Sequence, residues 1–328
     1  MAATIKDIAR ISGVSPATVS RVLSNQKDFY SEKTAKRVRE VAKKLGYQRN
    51  KNAVELVTRR SNVIAVLVSS TETNFSDQIL KGIQQEAQAR NLSVMIIFAG
   101  EGDAAVQAKA IQTVMERSVM GILLVAIDLD PSNNSLLESS NIPFLFISMT
   151  LKNTEFPFIS SNDFDIGYQS TKYLINKGHR KIGFIATDLH SFIGNLRYEG
   201  YRDAMRDNQL EFNEDWVRHG HFTYSDGVNA MKHYGKDTEL TAMIASSDLA
   251  GIGILNQAMS YGMKVPDRLA ILVVDGTYLC DIVRPKLTSL TQSFFEMGAK
   301  GMGMLVSESF KDFYSMYTPI KITERESV

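Results

Sequence analysis

The sequence has little cysteine and no long apolar run. Its single cysteine, Cys280, excludes an internal disulfide framework and a cysteine-rich zinc site. No apolar stretch approaches the roughly 18 residues of a membrane span, and the N-terminus lacks the basic-then-apolar order of a signal peptide. With 44% hydrophobic and 22% charged residues over 328 positions, the composition is typical of a globular protein of two or three domains. We therefore expect no membrane partner and a cytoplasmic location.

The net charge of +1 conceals an uneven distribution along the chain. Residues 1–60 contain 14 lysines and arginines against 5 aspartates and glutamates, a net charge of +9, and residues 61–328 carry −8. A small basic segment on an acidic body is typical of a nucleic-acid-binding head. A solvated basic tail is the alternative, which only the residue pattern can exclude.

Residues 1–48 are patterned as three short helices. Thr4 suits a helix N-terminus, and Gly13 suits the left-handed residue that ends a helix. Ser15 and the proline that follows it start a second helix after a turn of helix-turn-helix length. A third helix is predicted between Ser31 and Gly46, where apolar residues recur at helical spacing. This pattern favours a helix-turn-helix head.

The second helix is predicted to present an outward face made of Pro16, Ala17, Ser20 and Arg21. A helix fits the DNA major groove, and the residues near its N-terminus reach base edges. Arg21 could bind a guanine through two hydrogen bonds, and Ala17 could contact a thymine methyl group. A three-helix protein-interaction module is the alternative interpretation of this segment.

Residues 49–60 form a basic linker. Asn50 could cap a short helix over residues 51–57, but so short a helix is not stable alone in water. We expect it to become ordered on binding. Leu56 is a large apolar side chain in this linker, and packing on the next domain is the alternative to a role on DNA.

Residues 61–328 alternate between short β-branched runs and amphipathic stretches. Strands are predicted at 63–68, 93–98, 121–125, 143–147, 181–186, 242–245 and 269–274. Helices are predicted at 76–91, 104–117, 163–177, 195–208, 248–262 and 294–308. Continuous apolar strands alternating with helices predict a doubly wound α/β fold with parallel sheets. The length suits two lobes, with the chain crossing between them near 159–162 and 287–292.

Several motifs together resemble the lactose-repressor/galactose-repressor family of bacterial transcription regulators. The matching segments are Thr4–Ala9, Gly13–Ser15, Thr18–Leu23, Asn50-x-x-Ala53-x-x-Leu56, Lys177–Gly183, Val265-Pro266 and Thr323–Val328. The resemblance implies a two-lobed body with the fold of periplasmic sugar-binding proteins. It also implies a homodimer that binds a palindromic DNA operator. No heptad repeat is present, so a coiled-coil tetramer is not expected.

The resemblance assigns DNA contacts to head and linker residues. The candidates are Thr4, Ser15, Pro16, Ala17, Thr18, Ser20, Arg21, Asn25, Asn50, Ala53 and Leu56. In the family, the counterpart of Leu56 wedges into the minor groove and kinks the operator, as apolar side chains do in other proteins. Arg49 departs from the usual proline, which predicts a looser and more basic entry to the linker.

The resemblance also assigns an effector site in the cleft between the lobes. The candidates are Asn74, Phe75, Arg197, Phe222, Ser247, Asp275 and Gln292. Five of them, Asn74, Phe75, Arg197, Ser247 and Asp275, follow predicted strands, where ligands of open α/β sheets bind. The mixture of aromatic, charged and amide groups suits a sugar. Smaller side chains stand where relatives often have aspartate or asparagine, namely Ser148, Ser161 and Ser247. They predict a roomier pocket, for a disaccharide or another ligand.

Other chemistry is weakly supported. His219 and His221 share a strand face but lack further metal ligands, and no nucleophile, phosphate-binding or dinucleotide-binding motif occurs. We expect no catalytic residue, no metal and no cofactor.

The sequence therefore predicts a transcription regulator, and we expect a repressor controlled by a sugar. An activator, or control by a protein co-regulator, remains open within the family. A sugar-binding protein of a transport system and an α/β hydrolase are the alternatives from other classes. The missing leader and the DNA-binding head count against the first, and the missing nucleophile counts against the second.

Overall fold

The computed structural model describes residues 3–25, 27–47, 61–69, 74–100, 102–152 and 154–328. The chain divides into two compact units: Met1–Ser61, which contains the head, and Asn62–Val328, the body. Across these ranges, no helix has both the length and the apolar character needed to cross a membrane.

Three helices form the head: α1 (Ile5–Ser12), α2 (Pro16–Leu23) and α3 (Glu32–Lys44). Each contributes an apolar stripe to one small core, made of Ile8, Ala9, Val19, Val22, Ala35, Val38 and Ala42. The helix ends follow from local sequence. Gly13 ends α1 in the left-handed conformation with φ of 65°, and the Ser31 side chain caps α3. The three-helix prediction is confirmed.

The described part of the body contains twelve strands and nine helices. The strands are β1 (Val63–Val68), β2 (Ser93–Phe98), β3 (Gly121–Val125), β4 (Phe144–Ile147), β5 (Phe158–Ser160), β6 (Ile182–Thr187), β7 (Val217–His219), β8 (Ala242–Ala245), β9 (Ala270–Asp275), β10 (Thr288–Gln292), β11 (Ser315–Tyr317) and β12 (Ile320–Thr323). The helices are α4 (Ser76–Ala89), α5 (Ala104–Met115), α6 (Asn134–Ser139), α7 (Asp163–Asn176), α8 (Phe192–Asp207), α9 (Tyr224–Tyr234), α10 (Asp248–Ser260), α11 (Leu279–Ile282) and α12 (Phe294–Leu305).

The strands form two six-stranded sheets, one in each lobe. Lobe 1 has the order β11-β5-β4-β3-β1-β2, and all of its strand pairs are parallel. Lobe 2 has the order β12-β10-β9-β8-β6-β7, in which only β12 is antiparallel to its neighbour. Central strands such as β3, β6, β8 and β9 are buried along their whole length, as expected of sheets covered by helices on both faces. The doubly wound α/β fold is confirmed.

The chain passes between the two lobes three times. It leaves lobe 1 after β5 and returns after β10 through Ser293. It then passes from β11 of lobe 1 to β12 of lobe 2 through residues 318–319. The predicted passage at 287–292 is largely occupied by strand β10. The third passage was not predicted, because β11 and β12 are only three and four residues long.

Two glycines allow helices α7 and α8 of lobe 2 to pack closely. Helices α7 and α8 pack so closely that a Cβ on Gly167 would collide with the carbonyl oxygen of Arg197. On the opposing helix, a Cβ on Gly200 would collide with the carbonyl oxygen of Phe164. This close approach brings the first turn of α7 against the side chain of Arg197.

Candidate DNA-binding surface and ligand site

Helix α2 presents the face that the sequence predicted. The amide of Thr18 donates to Oγ of Ser15 at 3.0 Å, so the helix begins at a capped end. Val19 and Val22 are buried in the head core. The opposite face is exposed, and consists of Pro16, Ala17, Ser20 and Arg21. The helix can therefore enter a DNA groove without exposing the core.

Three predicted DNA-contact residues also hold helix ends together. Thr4 caps α1 in a reciprocal arrangement with Asp7, whose carboxylate accepts from the Thr4 amide at 3.0 Å. This arrangement lowers the pKa of Asp7, chiefly through hydrogen bonds from Thr4. The hydroxyls of Ser15 and Thr18 lie 2.9 Å apart. Loss of any of these groups would weaken a helix cap, whether or not the residue contacts DNA.

Two further residues orient the predicted contacts, and the sequence did not single them out. The guanidinium carbon of Arg21 lies 4.9 Å from the ring centroid of Phe29, a cation–π contact at the surface. Arg39 donates to Oδ1 of Asn25 at 2.9 Å. The remaining DNA-contact candidates, Asn50, Ala53 and Leu56, lie outside the described residues.

In lobe 2, the predicted effector residue Arg197 is fixed by a buried ion pair. Its Nε donates to Oδ1 of Asp163 at 2.7 Å, and the two side chains are 8% and 5% exposed. A second donor of Arg197 reaches the carbonyl of Ser246 at 3.3 Å. The Phe222 ring centroid lies 5.9 Å from the guanidinium carbon. Burial raises the pKa of Asp163, and the charge and hydrogen bond of Arg197 oppose this shift without cancelling it.

Asp275 and Gln292 form the second polar pair of the site. Nε2 of Gln292 donates to Oδ1 of Asp275 at 2.8 Å, and both side chains are buried. Burial, followed by the negative charge of Asp248, raises the pKa of Asp275 to about 7. Asp275 also has φ of 97°, which is unusual for a residue with a side chain. Strain of this kind often marks a functional residue.

Asp248 binds the residues that directly follow Asp275 in the chain. It accepts hydrogen bonds from the amides of Gly276 at 3.1 Å and Thr277 at 2.7 Å, and from Sγ of Cys280 at 3.1 Å. Burial raises the pKa of Asp248 in spite of these donors. Neither Asp163 nor Asp248 is among the effector candidates proposed from the sequence. Each is the first residue of a helix that follows a strand, which is the signal that could have identified them.

The remaining predicted effector residues lie around the same cleft. The Asn74 side chain reaches across from lobe 1, donating to Oγ1 of Thr277 at 3.0 Å and approaching the Asp248 carboxylate at 3.5 Å. The Phe75 ring stacks on Phe294 with centroids 4.8 Å apart. Ser247 caps α10 and donates to the carbonyl of Phe222 at 2.6 Å. Ser247 therefore stabilises a helix end whether or not it contacts a ligand.

Several buried hydroxyls of the site have no protein partner. Oγ of Ser161, Oγ of Ser246 and Oγ1 of Thr187 are enclosed and make no hydrogen bond among the described residues. Buried polar groups are normally paired. Each hydroxyl follows or ends a strand at the edge where the lobes face each other, so a bound ligand or water could supply the missing partners.

A cavity of about 480 Å³ lies beside the predicted effector residues but is not lined by them. Loops after β3 and β4 line it from lobe 1, and the loop after β6 with the start of α8 lines it from lobe 2. None of the seven predicted effector residues lines it. The polar residues themselves pack closely against one another, and the cavity lies next to them.

The structure gives no support to a metal site at His219 and His221 or to a reactive Cys280. Within the described ranges, no group of three histidine, cysteine, aspartate or glutamate side chains is arranged to hold a metal ion. His221 lies 3.9 Å from Asp188 and is exposed. Cys280 is buried, and burial raises its thiol pKa above the ordinary value, which disfavours the reactive thiolate.

The head and the body together define the class of protein. A helix-turn-helix head joined to a two-lobed α/β body with a polar site at the strand ends is the architecture of a ligand-controlled transcription regulator. Residues 4–50 match the bacterial regulatory proteins of the lacI family, and residues 61–294 match the periplasmic binding proteins and sugar-binding domain of the LacI family. The chain belongs to the LacI family, whose members regulate transcription and are not enzymes.

Individual relatives agree with this assignment. The transcriptional repressor PurR of Pasteurella multocida is 29% identical over 92% of this chain and 91% of its own. A transcription regulator from Lactobacillus plantarum is 42% identical, with a TM-score of 0.75 over 80% of this chain and 98% of its own. The operator-bound Lac repressor dimer shares the fold, with a TM-score of 0.90 at 24% identity over 100% of this chain and 99% of its own.

Proposed function

We propose that this protein is a dimeric repressor whose affinity for a palindromic operator is controlled by a sugar. One observation carries the proposal: the chain combines an exposed, capped α2 in its head with a buried polar cluster around Arg197 in its body. The first arrangement suits the major groove, and the second suits a small polar ligand. The name of the PurR relative supports a repressor rather than an activator.

The DNA-binding role is supported by charge and exposure. The segment 1–60 carries +9, and the α2 residues assigned to base contacts are exposed. Four other candidates already make side-chain hydrogen bonds within the head, namely Thr4, Ser15, Thr18 and Asn25. We therefore assign them to contacts with the DNA backbone or to contacts beside the base-reading residues. We assign residues 1–48 to the head, 49–60 to a hinge carrying Asn50, Ala53 and Leu56, and 61–328 to effector binding and dimerisation.

The sugar assignment is supported by the groups of the ligand site. Arg197 and the Asp275–Gln292 pair offer charged and amide groups at one edge, and the Phe222 ring lies beside the guanidinium. Hydroxyl groups bind well to such groups because the hydrogen bonds are charge-assisted. Asn74 joins lobe 1 to lobe 2 at this site, so a ligand there would change how the lobes close.

Homodimerisation is supported by apolar side chains at the surface. Ile96 and Phe98 lie on the same face of edge strand β2 and are 48% and 57% exposed. Met259, Tyr278 and Ile282 are exposed on lobe 2. Exposed apolar edges are normally covered in the functional state. A second copy of the chain would cover them and supply the second head that a palindrome requires. With a DNA target, we infer that the protein acts in the cytoplasm, on the nucleoid.

The DNA proposal is tested with the full chain and a random pool of double-stranded oligonucleotides. Repeated selection should enrich an inverted repeat, and fluorescence anisotropy should show affinity falling steeply with salt as counterions are released. Arg206→Ala, an exposed arginine of the body, is the matched control for Arg21→Ala. Enrichment of no inverted repeat, or binding insensitive to salt, would contradict the proposal.

The effector proposal is tested by thermal shift with a panel of mono- and disaccharides and their phosphates. Arg197→Ala and Asp275→Ala should remove the response to any sugar that stabilises the wild type, with operator binding retained. Arg206→Ala should respond like the wild type. A sugar that stabilises wild type and both site variants equally binds elsewhere, and would refute the assigned residues.

A further inference from the structure

Three buried carboxyl groups of lobe 2 lie around one buried guanidinium. Asp163, Asp248 and Asp275 are each at most 5% exposed, and Arg197 is the one buried cation among the described residues. Arg197 is already paired with Asp163, whose Oδ1 accepts from Nε at 2.7 Å. If all three acids were ionised, two negative charges would lie in the interior without a counter-charge, which is costly where water is excluded.

The charges around the end of β9 favour the neutral form of Asp275. The titratable groups there come from three longer helices, a short helix and the C-terminal segment, namely Asp163 (α7), Arg197 (α8), Asp248 (α10), Cys280 (α11) and Arg325. Strand β10 contains no charged residue, and Arg325 pairs with the exposed Asp281. Burial and then the charge of Asp248 raise the pKa of Asp275, and Arg197 opposes them only in part.

Hydrogen-bond donors surround both oxygens of Asp248. Oδ1 accepts from the Gly276 amide and from Sγ of Cys280, each at 3.1 Å. Oδ2 accepts from the Thr277 amide at 2.7 Å, and Nδ2 of Asn74 lies 3.5 Å from it. A carboxylate offers about four lone-pair positions, and each of them faces a donor here. Asp248 therefore has no position left for a proton of its own and is the ionised member of its pair with Asp275.

Asp275 has a one-sided arrangement instead. Its Oδ1 accepts from Nε2 of Gln292 at 2.8 Å, and its Oδ2 accepts no hydrogen bond from the described residues. A carboxylic acid carries its proton on one oxygen and can accept on the other. The contacts of Asp275 therefore fit a neutral acid whose O–H is free to bind a ligand.

We propose that Asp275 is a carboxylic acid at and below neutral pH and meets the effector as a hydrogen-bond donor through Oδ2. Its partner on the ligand is an acceptor, such as a hydroxyl, ring or carbonyl oxygen. A bound ligand displaces the water that could solvate a second carboxylate beside Asp248, so the protonated form binds more tightly. Effector affinity is thereby coupled to pH. The inference rests on the effector site proposed above and adds the protonation state of one of its residues.

Infrared spectroscopy of the full chain tests the proton without any ligand. A carboxylic acid has a C=O stretching band that carboxylates lack, and exposed acidic side chains are ionised above about pH 6. The wild type should show such a band at about pH 6 and lose it by about pH 9, and Asp275→Asn should lack this component. Asp237→Asn, at an exposed position before β8, is the matched control and should behave like the wild type. Wild-type spectra without a band that depends on Asp275 would overturn the proposal.

Isothermal titration calorimetry tests the coupling, with glucose, galactose, cellobiose and maltose as probes. Because the protonated form binds, the affinity for any probe that binds should fall by up to about tenfold per pH unit above about pH 7. Titrations in two buffers of different ionisation enthalpy should show proton uptake on binding. Asp237→Asn should follow the wild type in both respects.

Asp275→Asn separates a donor from an acceptor at this position. Its Oδ1 can still accept from Gln292 while Nδ2 donates to the ligand, and the amide cannot ionise. Its affinity should therefore not vary with pH and should exceed that of the wild type at about pH 9. An ionised Asp275 that accepts from the ligand predicts the reverse, a loss of binding in Asp275→Asn at every pH.

The possible failures are distinguishable. Wild-type affinity that rises with pH, proton release on binding, or loss of binding by an Asp275→Asn variant with a normal urea midpoint would overturn the proposal and leave the effector site intact. Binding of none of the four sugars would count against the sugar effector, and the infrared spectra alone would then decide whether Asp275 holds the proton.

Discussion

The buried ion pair between Asp163 and Arg197 makes a strong prediction about stability. Asp163→Asn keeps the size of the side chain but removes its charge, which leaves the Arg197 guanidinium with only the Ser246 carbonyl among its described polar partners. Both side chains are under one tenth exposed. Removing one partner of such a pair typically costs about 3–5 kcal/mol, and we expect the free energy of unfolding to fall by that amount.

Replacing Arg197 instead of Asp163 should lower the free energy of unfolding by a smaller amount. In Arg197→Met the unpaired Asp163 can become protonated, because burial already raises the pKa of its carboxyl. The double variant removes both charges, and replacing a buried ion pair by neutral groups is often close to neutral. We therefore expect the double variant to be more stable than Asp163→Asn alone.

The protein carries a built-in probe for this measurement. Trp216 is its only tryptophan, is 3% exposed and packs in the lobe 2 core. Urea unfolding followed by its fluorescence therefore reports on the lobe that holds the ion pair. Asp165→Asn is the control, because Asp165 lies on the same helix without an ion pair among the described residues. A loss below about 1 kcal/mol for Asp163→Asn, or a double variant equal to the sum of the singles, would refute the reasoning.

The other predictions concern pH, helix packing and DNA. Since the pKa of Asp275 is raised to about 7 and that of an unfolded aspartate is about 3.9, the folded state binds an extra proton between these values. Asp275 alone should therefore lower the stability by about 1.4 kcal/mol per pH unit from pH 4 to 7, and urea titrations should show Asp275→Asn losing that contribution. Gly167→Ala should force α7 and α8 apart and cost about 1–3 kcal/mol by urea unfolding; an unchanged midpoint would contradict the packing. Arg21→Ala should cost about 1–3 kcal/mol in operator affinity and relax one symmetric pair of bases, measured by anisotropy on base-substituted operators. Leu56→Ala should weaken specific binding more than nonspecific binding and reduce DNA bending in gel mobility assays; unchanged bending would favour packing on the body.

Local sequence was enough to predict the head. Helix ends in this segment are set by neighbouring residues such as Thr4, Gly13 and Ser15, and by an apolar period that needs no distant partner. The central strands were equally predictable, because a strand buried on both faces is apolar throughout. Short edge strands such as β11 and β12 were missed. Three or four residues are too few to show a hydrophobic period, and their partner strands are distant in sequence.

The ligand site was only partly predictable for a related reason. Arg197 and Asp275 could be proposed because ligands bind beyond strand carboxyl ends. Asp163 also lies beyond a strand end but was not proposed, since an aspartate in the first turn of a helix is explained by the helix dipole alone. Its ion pair depends on the close packing of α7 on α8 at Gly167, and the sequence does not show which two helices will meet.

The third passage between the lobes has a consequence for synthesis of the protein on the ribosome. Strand β11 completes the lobe 1 sheet and β12 completes the lobe 2 sheet, and both are made after every other strand. Residues beyond β12 join the same sheet, where the Ile271 amide donates to the carbonyl of Ser327 at 2.8 Å. A nascent chain can thus finish its head about 270 residues before either lobe closes its final edge. A translation product interrupted before β11 would carry the head but neither sheet in full, so it would have a DNA-binding segment without a complete sensor.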